Sequence, residues 1–119
     1  MVDRKSVLVV DDDRENIMFI GEILKKDYNV RAAVRGEQAL EIVKSDNPPD
    51  IIILDVVMPE MNGYELCKKI KKISEIPIIF LSGKSDIEER RYAMEIGGSD
   101  FISKPFETDR LIEAVKVRI

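Results

Sequence analysis

Carboxylates follow two apolar runs of the sequence, at the point where each run stops. The run at 51–54 ends on Asp55, and the run at 7–10 ends on three aspartates at 11–13. Unbroken apolar runs of this length are typical of strands buried on both faces of a parallel sheet. Open α/β sheets bind their ligands beyond the carboxyl ends of the strands, so we expect these acids to line a site.

The same acids also have ordinary structural uses. Asp12, with Glu15 three residues later, has the form of a capping box at the start of a helix. We expect Asp13 to cap that helix rather than to bind a ligand. Asp55 taken alone could equally cap a loop, so other parts of the chain must decide between capping and chemistry.

Charge and residue usage limit the partners and the reactions. The 119 residues carry 19 Lys plus Arg and 23 Asp plus Glu, a net charge of -4, which argues against binding nucleic acid or an anionic membrane through bulk charge. We expect a cytoplasmic protein, because charges at 3–5 interrupt any leader and no apolar run is long enough to span a bilayer. There is no histidine, which excludes Ser-His-Asp catalysis and imidazole ligation of metals within this chain.

Strands and helices are predicted to alternate five times in a single domain over residues 1–119. The strands are expected at 7–10, 30–34, 51–54, 76–81 and 100–103. Each strand is followed by a stretch with helical periodicity, and the first and third of these helices are expected at 14–26 and 64–73. This alternation predicts a doubly wound α/β fold, a parallel sheet between two layers of helices.

The polarity of the strands predicts their order in the sheet. The first, third and fourth are almost wholly apolar and should be central, whereas Arg31 and Asp100 place the second and fifth at the edges. The order 2-1-3-4-5, as in flavodoxin-like three-layer sandwiches, meets this condition. Its topological switch point lies between strands one and three, which brings Asp11, Asp12 and Asp55 together.

Three carboxylates in one crevice predict a divalent cation. A pair of like charges about 4 Å apart costs roughly 4 kcal/mol at an effective dielectric constant of 20, and a cation would remove that cost. Oxygen ligands favour Mg²⁺, Mn²⁺ or Ca²⁺, and a sparse set completed by water and phosphate suits Mg²⁺ best. An aspartate can be the nucleophile of phosphoryl transfer, while Ser82 and Lys104, after strands four and five, supply a hydroxyl and an ammonium.

These residues resemble the receiver domain of bacterial two-component response regulators, including the chemotaxis regulators, over about 6–117. The matching motifs are Asp11-Asp12 after the first strand, Asp55 followed by Met58-Pro59 and Asn62-Gly63, Ser82 after the fourth strand, and Lys104-Pro105-Phe106 after the fifth. Each motif is weak alone, but in this order and spacing they are very specific.

The resemblance implies a role for each residue. Asp55 would accept a phosphoryl group from a phosphohistidine of a sensor histidine kinase or a histidine phosphotransfer protein. Asp11, Asp12, Asp55 and the backbone carbonyl of Val57 would hold Mg²⁺. Lys104 would pair with Asp55 or its phosphoryl group, Ser82 would bond a phosphoryl oxygen, and Phe101 would rotate inward as that hydroxyl moves. These are the site residues that the resemblance predicts.

The resemblance further implies a signalling domain rather than an enzyme, although such a domain catalyses its own aspartyl phosphorylation and dephosphorylation. The output surface would be formed by the fourth helix, fifth strand and last helix, and the effector or fused output domain is open. A homodimer formed on phosphorylation is possible. Two alternatives also remain open: a fragment of a haloacid dehalogenase-like phosphatase, and a kinase-binding module without phosphotransfer.

Overall fold

The computed structural model describes residues 4–84 and 86–119, in which five strands alternate with five helices. In chain order these are β1 (Ser6–Val10), α1 (Arg14–Leu24), β2 (Asn29–Ala33), α2 (Gly36–Lys44), β3 (Ile51–Asp55), α3 (Gly63–Lys71), β4 (Ile78–Ser82), α4 (Ile87–Glu95), β5 (Asp100–Ser103) and α5 (Thr108–Lys116). The predicted alternation is therefore confirmed.

The five strands form one parallel sheet in the order β2-β1-β3-β4-β5. The predicted order is confirmed, and β2 and β5, which contain Arg31 and Asp100, lie at the edges. Val10 of β1 pairs with Leu54 of β3, and the next residue along the chain is an aspartate in both cases. Asp11 and Asp55 therefore leave the sheet at the same level.

Alternate residues of the central strands face two separate cores. Leu8 and Val10 lie in one core with residues of α2, α3 and α4, whereas Val7 and Val9 lie in the other with residues of α1 and α5. All four side chains are buried. The sheet is thus covered on both faces, as expected of a three-layer fold.

The ends of several elements differ from the sequence expectations. The cap of α1 is Asp13, whose side chain accepts the backbone N–H of Glu15, so the capping box expected at Asp12 is wrong and the capping role expected of Asp13 is confirmed. β4 begins at Ile78 rather than at 76, because Pro77 has no N–H to give to the sheet. α1 ends at Leu24, two residues early.

None of the described helices combines the length and the apolar character that crossing a bilayer requires.

The single cysteine, Cys67, is buried in α3, and burial raises its thiol pKa to about 11. The thiol is therefore protonated and belongs to the packed interior.

The loop that leaves Asp55 ends in a capping box at the start of α3. The Asn62 side chain accepts the backbone N–H of Glu65, and the Glu65 side chain accepts the backbone N–H of Asn62. Both interactions satisfy amides that the helix itself leaves unpaired. The capping box thus anchors the loop between Asp55 and α3.

We expect Asn62→Ala to lower the free energy of unfolding by about 1 kcal/mol, because the Glu65 amide loses its acceptor. Urea denaturation measures this change. The control is Asn47→Ala, at an exposed loop position, which should change stability by less than about 0.5 kcal/mol. Equal effects of the two substitutions would show that the capping box does not stabilise the loop.

Candidate functional site

Three carboxylates meet at the carboxyl end of the sheet. Asp55 is the last residue of β3, and Asp11 and Asp12 follow β1 directly. One oxygen of each lies within 4.8 Å of the others. Asp11 and Asp55 are only 1% and 6% exposed, whereas Asp12 is open to solvent. The cluster is thus buried on one side and accessible on the other.

Lys104 supplies the positive charge nearest to this cluster within the described residues. Its Nζ lies 2.7 Å from Oδ1 of Asp55 and 4.0 Å from Oδ2 of Asp11. Its backbone N–H donates to the carbonyl of Ser82 at 2.7 Å, which holds the residue beside the end of β4. The structure therefore places the sequence-predicted lysine against the sequence-predicted acceptor.

Asp11 accepts a hydrogen bond at each of its oxygens. The backbone N–H of Asp13 donates to Oδ1 at 2.9 Å, and the side-chain amide of Asn16 donates to Oδ2 at 3.3 Å. The contact of Asn16 was not predicted from the sequence. Its position in the first turn of α1, immediately after the acids, is the one signal that could have indicated it.

The two buried carboxyls are easier to protonate than free ones. Burial raises the pKa of Asp55, and the hydrogen bond and charge of Lys104 partly oppose that rise. Burial likewise raises the pKa of Asp11. The hydrogen bond from the Asp13 backbone lowers this pKa, and the negative charge of Asp55 raises it further. In both groups the loss of solvation outweighs the favourable partners.

The loop after Asp55 packs too closely to admit a side chain at Gly63. A Cβ there would lie 2.3 Å from the carbonyl oxygen of Asp55, and the Gly63 N–H donates to the carbonyl of Val56 at 2.8 Å. Val57, two residues after Asp55, is 68% exposed. The loop is therefore held against the strand end, and the Val57 carbonyl as a ligand stays a prediction.

The two predicted switch residues lie on the neighbouring strands β4 and β5. Ser82 closes β4, is buried, and its hydroxyl accepts the backbone N–H of Lys84 at 3.0 Å. Phe101 lies in β5 with its ring inside the core, 2% exposed. The structure thus brings Ser82 to the end of the sheet that carries the acids, whereas Phe101 pairs with Phe80, two residues before that end, with its ring turned inward.

The donor set fits a hard divalent cation. Three carboxylate oxygens lie close enough to share one ion, and no sulfur or imidazole is among them. Such ions take oxygen ligands, and Mg²⁺ in particular binds through one or two carboxylates with water and phosphate oxygens. Asp11, Asp12 and Asp55 are therefore suited to Mg²⁺ or Mn²⁺.

The model of the response regulator receiver domain family matches residues 7–116. This chain belongs to that family. The match covers all five strands except the first residue of β1, and it includes every residue of the acidic cluster together with Lys104. The receiver domain of two-component systems that the motifs indicated is thereby confirmed.

Two curated relatives contain a segment similar to this receiver domain. A probable cyclic di-GMP phosphodiesterase of Vibrio cholerae is 43% identical over 103 residues, 84% of this chain and 23% of that protein. A Formosa agariphila protein named histidine kinase P4 is 41% identical over 107 residues, 87% of this chain and 8% of that protein. This chain thus spans less than a quarter of the length of either relative.

A solved structure shows the same fold. The BeF3-activated receiver domain of DrrB, a Thermotoga maritima response regulator, superposes with a TM-score of 0.87 at 31% identity and covers 96% of each chain. The flavodoxin-like arrangement derived above from strand polarity is the one that response regulator receivers adopt.

We expect Asp55→Asn to melt above the wild type when no metal is present. The pKa of Asp55 is higher in the folded protein than in the unfolded chain. The protonated carboxyl therefore stabilises the fold fully at pH values below the pKa of the unfolded chain, and this stabilisation is lost as pH rises through the pKa of the folded protein. Asparagine does not ionise and escapes this loss. A gain of roughly 1 kcal/mol would raise the Tm by about 4 °C in a domain of this size.

Thermal melts in a chelator from about pH 4 to about pH 7 measure this difference. The gap between the variant and the wild type should widen as pH rises. Asp46→Asn, an equal change of charge at an exposed loop position, should show no such widening. A variant that melts at or below the wild-type Tm across the range would contradict the electrostatic account.

Proposed function

We propose that Asp55 is the phosphoacceptor of this receiver domain and takes its phosphoryl group from a phosphohistidine of a sensor histidine kinase or a histidine phosphotransfer protein. The observation that carries this proposal is the ion pair of Lys104 with Asp55, within a cluster of carboxylates at the end of the central strands. Asp55 differs from an ordinary surface acid because it is buried, paired with a lysine and close to two other carboxylates.

The chain's own groups suit the steps of such a transfer. A carboxylate oxygen of Asp55 forms a bond to phosphorus while the bond between phosphorus and the imidazole nitrogen breaks, and the imidazole leaves with the electron pair. Lys104, whose ammonium donates to Asp55, would stabilise the negative charge on the phosphoryl oxygens. The partner must supply the imidazole, because this chain has no histidine.

Asp11, Asp12 and Asp55, with the backbone carbonyl of Val57, would hold Mg²⁺, or Mn²⁺ in its place. When bound, the ion neutralises the carboxylates and the phosphoryl oxygens so that the negatively charged donor and acceptor can approach each other. The buried side of the cluster supports this role, because two of its carboxyls have lost solvation that a cation would replace.

Phosphorylation would change the conformation at the end of β4 and in β5. The Ser82 hydroxyl, released from the Lys84 amide, would bond a phosphoryl oxygen, and Phe101 would occupy the space behind it. The carbonyl of Phe101 accepts a hydrogen bond from Arg90 of α4 at 3.0 Å. A shift at Phe101 would therefore reach the α4-β5-α5 surface directly.

The chain acts as a signalling domain, and we propose that its chemistry is limited to its own aspartyl phosphorylation and dephosphorylation. The relative named histidine kinase P4 supports a partner or fused domain of that class, and the relative named as a phosphodiesterase supports a fused output enzyme. A homodimer through the α4-β5-α5 surface is a further expectation that the oligomeric state after phosphorylation would test.

Mass spectrometry after incubation with acetyl phosphate and Mg²⁺ tests the phosphoacceptor. We expect the wild type to gain the mass of one phosphoryl group and Asp55→Asn to gain none, since the amide is a poor nucleophile. Asp12→Asn, which keeps the acceptor, should be labelled slowly. No adduct on the wild type would favour a kinase-binding module, and continued release of phosphate from monoesters would favour a phosphatase.

Lys104→Ala should slow labelling by acetyl phosphate by about 100-fold, because one charged donor to the transferring group is lost. The rate of adduct formation at saturating Mg²⁺ measures this effect. Lys26→Ala, an equal change of charge at an exposed position, is the control and should leave the rate unchanged. A Lys104→Ala rate within a few fold of the wild type would contradict the role of this ion pair.

A further inference from the structure

Asn16 contacts the acidic cluster through Asp11 without being one of the three carboxylates. Its side-chain amide donates to Oδ2 of Asp11 at 3.3 Å, and Nζ of Lys104 lies 4.0 Å from the same oxygen. The other oxygen of Asp11 accepts the Asp13 backbone N–H. Within the described part of the chain, the side chain that donates a hydrogen bond to the buried carboxylate of Asp11 is therefore the uncharged amide of Asn16.

We infer that Asn16 is a positioning residue for the cation site: its amide keeps a carboxylate oxygen of Asp11 within reach of Asp12 and Asp55. This inference rests on the proposed function in taking the cluster to be a Mg²⁺ site. It does not depend on which residue accepts a phosphoryl group.

The chemistry of Asp11 explains why a neutral donor suits this position. A carboxylate offers about four lone-pair directions, so two hydrogen bonds orient the group and still leave directions for an ion. A cationic donor at the same oxygen would compete with the metal for the negative charge. An amide orients the carboxylate without that competition, and Lys104 is closer to Asp55 than to Asp11.

The two hydrogen bonds of Asp11 hold its carboxylate at both oxygens. Oδ1 accepts the Asp13 backbone N–H at 2.9 Å, and Oδ2 accepts the Asn16 amide at 3.3 Å. Removal of the Asn16 amide would therefore weaken the orientation of one ligand.

The test measures Mg²⁺ affinity on the full chain by titration calorimetry with magnesium chloride. Asn16→Leu keeps a side chain of similar size without the donor, and Asn16→Ala removes the side chain while favouring the helix. Loss of an outer hydrogen bond to a metal ligand typically costs 10–100-fold in affinity, so for this long bond we expect Kd to rise by about 10-fold in both variants. Met18→Ala, at an exposed position of α1, should bind as the wild type does.

The Mg²⁺ dependence of labelling by acetyl phosphate separates positioning from a structural role. The Mg²⁺ concentration that gives half the maximal rate should rise by the same factor as Kd, while the rate at saturating Mg²⁺ stays near the wild-type rate. An Asn16→Leu variant with a Kd within about twofold of the wild type would overturn the inference, whatever its thermal stability. Weakened Mg²⁺ binding without labelling of the wild type would leave the inference standing and contradict the phosphoacceptor.

Discussion

The repulsion among three carboxylates held at one end of the sheet is the constraint on which the rest of the site depends. Asp11, Asp12 and Asp55 lie within 4.8 Å of one another, and the two buried members have lost most of their water. In the absence of a metal, the charge of Lys104 offsets part of this cost. The domain is therefore sensitive at this point to any added charge, whether a cation or a phosphoryl group.

The fold tolerates this repulsion because the surrounding backbone is closely held. The central strands are buried on both faces, and the loops leaving β1 and β3 each enter a helix through a side-chain cap, at Asp13 and at Asn62. Gly63 lets the second of these loops pack directly on the carbonyl of Asp55. The backbone segments that carry the carboxylates consequently cannot move apart without loss of packing and of helix caps.

A second group of ion pairs lies on β5, next to the buried ring of Phe101. Asp100 forms ion pairs with Arg110 of α5 and Arg90 of α4, and the guanidinium of Arg110 and the amide of Phe101 together lower its pKa against the effect of burial. Arg90 also bonds the carbonyl of Phe101. Two helices are thus tied to the strand that leads into Lys104.

Sequence patterns predicted the architecture and the candidate residues of the site. Alternating apolar runs and helical stretches predicted the α/β fold, strand polarity predicted the order of the sheet, and the strand ends identified Asp11, Asp12, Asp55, Ser82 and Lys104. These features are local or follow from burial, which the residue types record directly. The capping role of Asp13 was predicted as well. Only the three-dimensional structure shows that Asn16 bonds Asp11 and that Lys104 pairs more closely with Asp55 than with Asp11. Such choices depend on side-chain distances, as in the 2.7 Å and 4.0 Å that separate Nζ of Lys104 from Asp55 and Asp11, and residue spacing does not encode distances with that precision.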